Sequence, residues 1–391
     1  MADLGKKPVA WLLPQIVTAL TLLVAGARIG VAEEIEADAS TMVAQQPATA
    51  AEPGASFEHQ YWVVSTRRCP QDRVGPVAGP IDYFHRSPGG RLRRSDATSF
   101  AQSFEPGVPI CMIVHGSFVS WEALVNHSRP LHRWIRGAAP ERPLHVVFVS
   151  WPSDGPLSYF LPLDIAVLGR RSALNGFYLA DIASRLPESS PITFVGHSHG
   201  ARLISSALHL MGGGSVQGYR AAPRILAARH RVRAVLFAAA MDHPWLNPGE
   251  RYGRMPFRSD AVLSLRNRED IALGFYPLRK FNSEAALARV GLTNGDRSRL
   301  GGLNPKLTEL DVTAVIGSGH VWQHYFTRPE IASVIAPYVY YTDQQFQQPV
   351  AAHLAQPGDQ PLQAGNQRRQ TGRPVLPTRR PGGPILPAGA E

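Results

Sequence analysis

Covalent catalysis by a side chain needs a nucleophile held clear of its neighbours, and one stretch of this chain meets that need. Gly196-His197-Ser198-His199-Gly200 follows the short apolar run Ile192–Val195. An apolar pattern at helical spacing comes straight after it: Leu203, Ile204, Ala207, Leu208 and Leu210. A strand running into Gly-x-Ser-x-Gly and then a helix predicts a sharp turn with Ser198 at its tip. Gly196 and Gly200 remove the side chains that would collide with strand or helix there, and glycine tolerates backbone angles that other residues avoid. The Ser198 hydroxyl would then stand free. The backbone N–H of His199, at the helix start, would face negative charge developing on a substrate oxygen. A plain glycine-rich turn could have the same five residues; the strand before and the helix after favour the chemical reading.

A serine hydroxyl is a weak nucleophile at neutral pH and needs a base, and an imidazole base needs a carboxylate to fix its tautomer. With such a turn in an α/β sheet, the order along the chain is serine, then acid, then histidine. Asp270 lies just past the apolar run Ala261–Leu265 and is the preferred acid, with neighbouring Glu269 and Asp242, which follows the run Val232–Ala240, as alternatives. His320 follows Gly317-Ser318-Gly319, and His324 stands beside Tyr325-Phe326. One of these two is the expected base, with His320 ahead by a small margin. A second oxyanion donor is expected from His115-Gly116-Ser117-Phe118, through the N–H of Ser117 or Phe118. His197 and His199 also stand at metal-ligand spacing, with His115 as a third imidazole, but no acid follows them at a matching interval. Neither metal nor cofactor is expected.

These residues need a scaffold. Short β-rich runs at Gln60–Ser65, Ile110–Val114, His145–Ser150, Ile192–Val195, Val232–Ala240, Ala261–Leu265 and Val312–Ile316 alternate with helical segments. That alternation predicts an α/β fold: a mostly parallel sheet with helices on both faces, and the site at the carboxyl ends of the strands. Helices are expected over Trp121–Ile135, broken at Pro130, over Ser172–Leu186, and from Thr327-x-x-Glu330, which has capping-box spacing, to about Tyr340. Residues 66–109 read as a connection rich in Pro, Gly and Arg. Met211–His230 and Arg279–Asn304 are long for α/β connections and are expected as lids.

The chain of 391 residues, 44% hydrophobic, is long enough for a sizeable core. Its formal charge of +10 favours anionic surfaces such as membranes. No aromatic-basic stripe accompanies that charge, so nucleic acid is not an expected partner. Lys6 and Lys7 precede an apolar run from Val9 to Val24, followed by Ala25-Gly26-Ala27. Residues 1–32 therefore read as a signal peptide or N-terminal membrane anchor, which implies export or attachment to the cell envelope. Residues 33–57 read as a flexible linker, 58–343 as the folded domain, and 344–391 as a disordered tail rich in Pro, Gly, Gln and Arg. Two cysteines, Cys69 and Cys111, permit at most one disulfide.

With the residues placed, the chain from about 60 to 341 resembles the alpha/beta hydrolases, and within them a bacterial branch of unknown function. The likeness rests on Val64-Ser65-Thr66-Arg67-Arg68, the His115-Gly116 loop, Phe148-Val149-Ser150-Trp151-Pro152-Ser153, and Asp270-Ile271-Ala272-Leu273 in an Asp-x-x-Leu pattern. His199 departs from that branch, which usually has a small residue or Met after the serine. The resemblance implies a serine hydrolase acting on an ester or related acyl bond of a small-molecule or lipid-like substrate. Acyl transfer to an acceptor other than water, and a non-catalytic binding protein of the envelope, are the alternatives.

Overall fold

Short runs that are apolar almost throughout form the middle of the sheet, because strands covered by helices on both faces have no solvent side to alternate toward. The computed structural model describes residues 60–71, 80–155, 161–279 and 283–342. The expected N-terminal segment, the linker to residue 57 and the tail from 344 lie outside the described residues. In chain order the elements begin with β1 (Tyr61–Ser65), β2 (Asp82–Arg86), β3 (Leu92–Ser95), helix α1 (Ala97–Gln102), β4 (Ile110–Val114), α2 (Trp121–Gly137) and β5 (His145–Ser150). Next come α3 (Leu161–Ala183), β6 (Ile192–His197), α4 (His199–Met211), the hairpin β7 (Ser215–Val216) and β8 (Tyr219–Arg220), α5 (Pro223–Ala227) and β9 (Val232–Phe237). The rest are α6 (Met255–Arg258), β10 (Ala261–Arg266), α7 (Ile271–Gly274), α8 (Leu287–Val290), α9 (Asn294–Leu300), β11 (Leu307–Asp311), α10 (Thr313–Ile316), α11 (Gln323–Phe326) and α12 (Pro329–Val339).

Nine strands pair in the order β11-β10-β9-β6-β4-β5-β1-β2-β3. From β11 through β1 every pairing is parallel; β2 and β3 add an antiparallel meander at one edge. Helices α2 and α12 pack together over one face, and α3 packs along α4 over the other. All thirteen residues of α4 are buried. This is the expected α/β architecture.

The connections depart from expectation where local chemistry is overridden. Residues 66–109 contain β2, β3 and α1; Asp96 caps α1 through hydrogen bonds from Thr98 and Ser99 N–H. Helix α2 runs unbroken through Pro130, held by buried Leu124, Leu131 and Ile135 on either side of it. Helix α3 begins eleven residues before the expected Ser172, at Leu161. The last strand is Leu307–Asp311, whereas Val312 to Ile316 makes a helical turn. Strand β9 ends at Phe237, because Ala238 turns the chain with φ 45°. No capping box opens α12: the Thr327 hydroxyl donates back to the Gln323 carbonyl, and Arg328 is the N-cap without a side-chain bond. Met211–His230 cannot be a lid over Ser198. It joins the far end of α4 to the start of β9, so it lies at the opposite end of the sheet from the serine. Cys69 and Cys111 are both buried, unbonded thiols.

The α3–α4 contact is close enough to require glycine. A Cβ on Gly176 would stand 2.7 Å from Ser206 Cβ and 2.9 Å from Ala207 N. Gly176→Val should destabilise the fold by about 1–3 kcal/mol through overpacking. Urea unfolding should show an earlier midpoint; an unchanged midpoint would mean that these helices are free to separate.

Candidate active site

Strand β6 delivers Ser198 to the turn, and the turn is strained as its shape requires. Ser198 has φ 53° and ψ −119°, a region that residues with a Cβ seldom occupy. Its N–H donates to the Phe237 carbonyl at 2.9 Å, and its carbonyl accepts from Ala201 N–H at 3.1 Å. Both flanking glycines are needed for space. A Cβ on Gly196 would lie 2.8 Å from Ala201 N, and one on Gly200 would lie 2.6 Å from the His115 carbonyl oxygen.

The base is His320. Its Nε2 lies 3.1 Å from Ser198 Oγ, and its Nδ1 lies 2.8 Å from Asp270 Oδ2. With Asp270 Oδ2 accepting from Nδ1–H, Nε2 is left to accept from the serine hydroxyl. Asp270 is held in turn: its Oδ1 accepts from Leu273 N–H at 2.9 Å, capping α7, and its carbonyl accepts from Arg289. The alternatives fall away on geometry. His324 packs its ring against Gly319, where a Cβ would stand 2.6 Å from the ring. Asp242 accepts from Tyr276 Oη at 3.0 Å and pairs with Arg279. Glu269 is exposed.

The loop after β4 abuts the serine. A Cβ on Gly116 would lie 3.2 Å from Ser198 Cβ and 2.7 Å from His197 Nδ1. The Ser117 N–H has no acceptor among the described residues, and His199 N–H opens α4, where no residue one turn earlier can accept from it. Phe118 is not the donor expected from the sequence, because its N–H is spent on the Ser153 carbonyl at 2.7 Å. That bond, with Phe118 at φ 60°, turns the loop away after Ser117.

Two side chains hold the His320 loop in a role not expected from the sequence. Asn267 Nδ2 donates to the carbonyls of Gly317 at 2.7 Å and Gly319 at 3.3 Å. His197 Nε2 donates to the His320 carbonyl at 2.6 Å. Together they clamp the histidine loop from both sides. The clue was in the spacing: Asn267 directly follows β10, three residues before Asp270, and His197 immediately precedes the serine.

The three imidazoles at metal-like spacing are engaged separately. His115 Nδ1 donates to the Gly116 carbonyl at 2.8 Å while its Nε2 accepts from Trp151 N–H; His197 holds His320; His199 Nδ1 meets Ser117 Oγ at 2.6 Å. Among the described residues no group of three or more His, Cys, Asp or Glu converges on a metal position.

A mostly parallel sheet, a tight serine turn after one of its inner strands, and an aspartate and a histidine past later strands in the order Ser198, Asp270, His320 together define an architecture. This is the alpha/beta-hydrolase fold. No family model and no curated protein matches the chain. Among solved structures it is similar to esterase B from Lactobacillus rhamnosis (11% identity, 79% of this chain and 90% of that one, TM-score 0.36). It is also similar to the catalytic core of acetyl xylan esterase from Trichoderma reesei (11%, 64% and 99%, TM-score 0.29) and to a truncated carbohydrate esterase from gut microbiota (12%, 75% and 98%, TM-score 0.35). Likeness at that level leaves activity to the chain's own geometry.

Burial makes the supporting histidines resist protonation. It pushes His115 down to about 3, helped by nearby Arg67, and drives His197 and His199 well below the ordinary value. Below pH 6.5 the unfolded chain therefore binds protons that the folded chain refuses, so stability falls as pH drops from 6.5 toward 3. At pH 5, His115 alone should cost about 2 kcal/mol. Urea midpoints should be clearly lower at pH 5 than at pH 7; equal midpoints would show that these rings are hydrated.

Proposed function

We propose that this protein is a serine hydrolase that cleaves a carboxylic ester or related acyl bond. The single observation supporting this most strongly is the hydrogen-bonded line from Ser198 Oγ through His320 to buried Asp270. In the first step His320 Nε2 takes the hydroxyl proton as Ser198 Oγ attacks the acyl carbon. The carbonyl oxygen, now negative, is received by the N–H groups of His199 and Ser117. Asp270 stabilises the imidazolium without taking its proton. Collapse of the tetrahedral species breaks the bond to the leaving alcohol, which takes the proton from His320, and leaves an acyl group on Ser198. Water then attacks that acyl group with His320 again as base; the acid departs, and Ser198 regains its proton. We further propose that the apolar segment Val9–Val24 directs the chain to the cell envelope, so that the substrate is met there.

Hydrolysis of 4-nitrophenyl butyrate tests the assignment. Ser198→Ala and His320→Ala should each lower kcat by about 10⁴ to 10⁶, and Asp270→Asn by about 10⁴. His324→Ala should stay within a few-fold of wild type. Full activity in Ser198→Ala, or equal damage from His324→Ala and His320→Ala, would contradict the mechanism.

A further inference from the structure

The site carries one buried cation without a counter-ion. Arg202 lies one turn into α4, four residues after Ser198, and is only 7% exposed. Its Nε donates to Tyr252 Oη at 3.2 Å, and its guanidinium stacks over Trp245 at 5.0 Å from the ring centroid. Its two terminal nitrogens have no acceptor, and no carboxylate lies in ion-pair range, among the described residues. Neighbouring Arg279 contrasts with it, being paired with Asp242. Arg202 and Arg279 both lie over the Trp245 ring, so with Asp242 the three form one cluster of two cations and one anion. An unpaired buried charge costs several kcal/mol, and a hydroxyl and an aromatic face offset only part of that.

A second unpartnered group stands beside it. His199 is 3% exposed, and its Nε2 has no hydrogen-bond partner among the described residues. Its Nδ1 is engaged by Ser117 Oγ; in the tautomer in which that hydroxyl donates, Nε2 carries the hydrogen and is a donor. Both groups converge on Gly169 of α3: a Cβ there would stand 2.6 Å from Arg202 Nη1 and 3.3 Å from His199 Nε2. Gly169 thus lets the α3 backbone pack directly on the guanidinium with the imidazole Nε2 alongside, next to the residue that follows Ser198. Neither Ser198, His320 nor Asp270 uses these donors.

We propose that Arg202 and His199 Nε2 form a subsite for an anionic group, a carboxylate or phosphate carried by the substrate in addition to its scissile ester. The inference rests on the serine-hydrolase reading and names its substrate class. A guanidinium fork matches the planar oxygens of a carboxylate and equally accepts phosphate, and the hydrogen bonds formed would be charge-assisted. The bound anion also supplies the counter-charge that the fold withholds.

The test compares mono-4-nitrophenyl adipate with 4-nitrophenyl hexanoate, which match in chain length and differ in one carboxylate. Wild type should favour the adipate in kcat/KM by about tenfold or more. Arg202→Met should bring that ratio close to one, and Arg202→Lys should restore part of it. Inorganic phosphate and adipate should each slow labelling of wild-type Ser198 by a neutral fluorophosphonate, and neither should slow it in Arg202→Met. Stronger protection by phosphate would assign the anion as a phosphate, and stronger protection by adipate as a carboxylate. A wild-type ratio of one or below, or an Arg202→Met variant that slows both esters by the same factor, would overturn the subsite while leaving the serine hydrolase standing. The labelling arm decides the question even when neither ester turns over. Wild type that takes no label at all would sink the hydrolase reading and this inference with it.

Discussion

The site depends on one strained residue. Ser198 sits at φ 53°, at a cost on the order of 1–3 kcal/mol that persists only because its surroundings over-determine it. Strand β9 takes its N–H through Phe237, α4 takes its carbonyl, and the end of β4 presses so closely on Gly200 that no side chain fits between them. That last contact does a second job. Because the chain leaving β4 rests on the serine turn, Gly116 and Ser117 are set beside Ser198 by the same packing that strains it. The serine turn and the loop after β4 are therefore one mechanical unit, buried in the middle of the sheet where it is least able to give.

Electrostatics then separates one histidine from its neighbours. His115, His197 and His199 are buried, kept neutral, and used as fixed hydrogen-bonding parts. His320 is partly open, with a buried carboxylate behind it and the serine hydroxyl in front. The same pair of residue types occurs elsewhere without that third member. His243 Nδ1 meets Asp296 Oδ2 at 2.6 Å, but Asp296 also closes the capping box of α9 with Thr293, and His243 Nε2 faces Glu284. An imidazole beside a carboxylate is common structural currency. A strained serine on its far side is what turns the pair toward chemistry.

The chemical residues were more legible than the scaffold around them. Gly196 to Gly200 announced itself because strand, turn and helix each had their own signal. Asp270 followed from its place after a strand. The choice between His320 and His324 needed three dimensions, since it turns on Asn267 and His197 clamping one loop, contacts that cross 50 and 123 residues of sequence. The strands missed were the two edge strands, β2 beside one of them, and the small β7–β8 hairpin. Leu92–Ser95 is Leu-Arg-Arg-Ser and Leu307–Asp311 is Leu-Thr-Glu-Leu-Asp, both mostly polar, because an edge faces solvent and is protected by charge. Val312 to Ile316 looked more strand-like than the true β11, yet Val312 N–H is drawn to the Arg266 carbonyl and the chain turns there into a helix. Arg202 was invisible as a functional group, for in sequence it is one more arginine in an α-helix.

The most direct measurement of the central claim is intact-mass and peptide mapping of the protein after reaction with a fluorophosphonate. The account predicts a single adduct on Ser198, formed quickly in wild type, absent in Ser198→Ala, and slowed by orders of magnitude in His320→Ala. An adduct on another residue, or labelling of Ser198 at the same rate without His320, would contradict it.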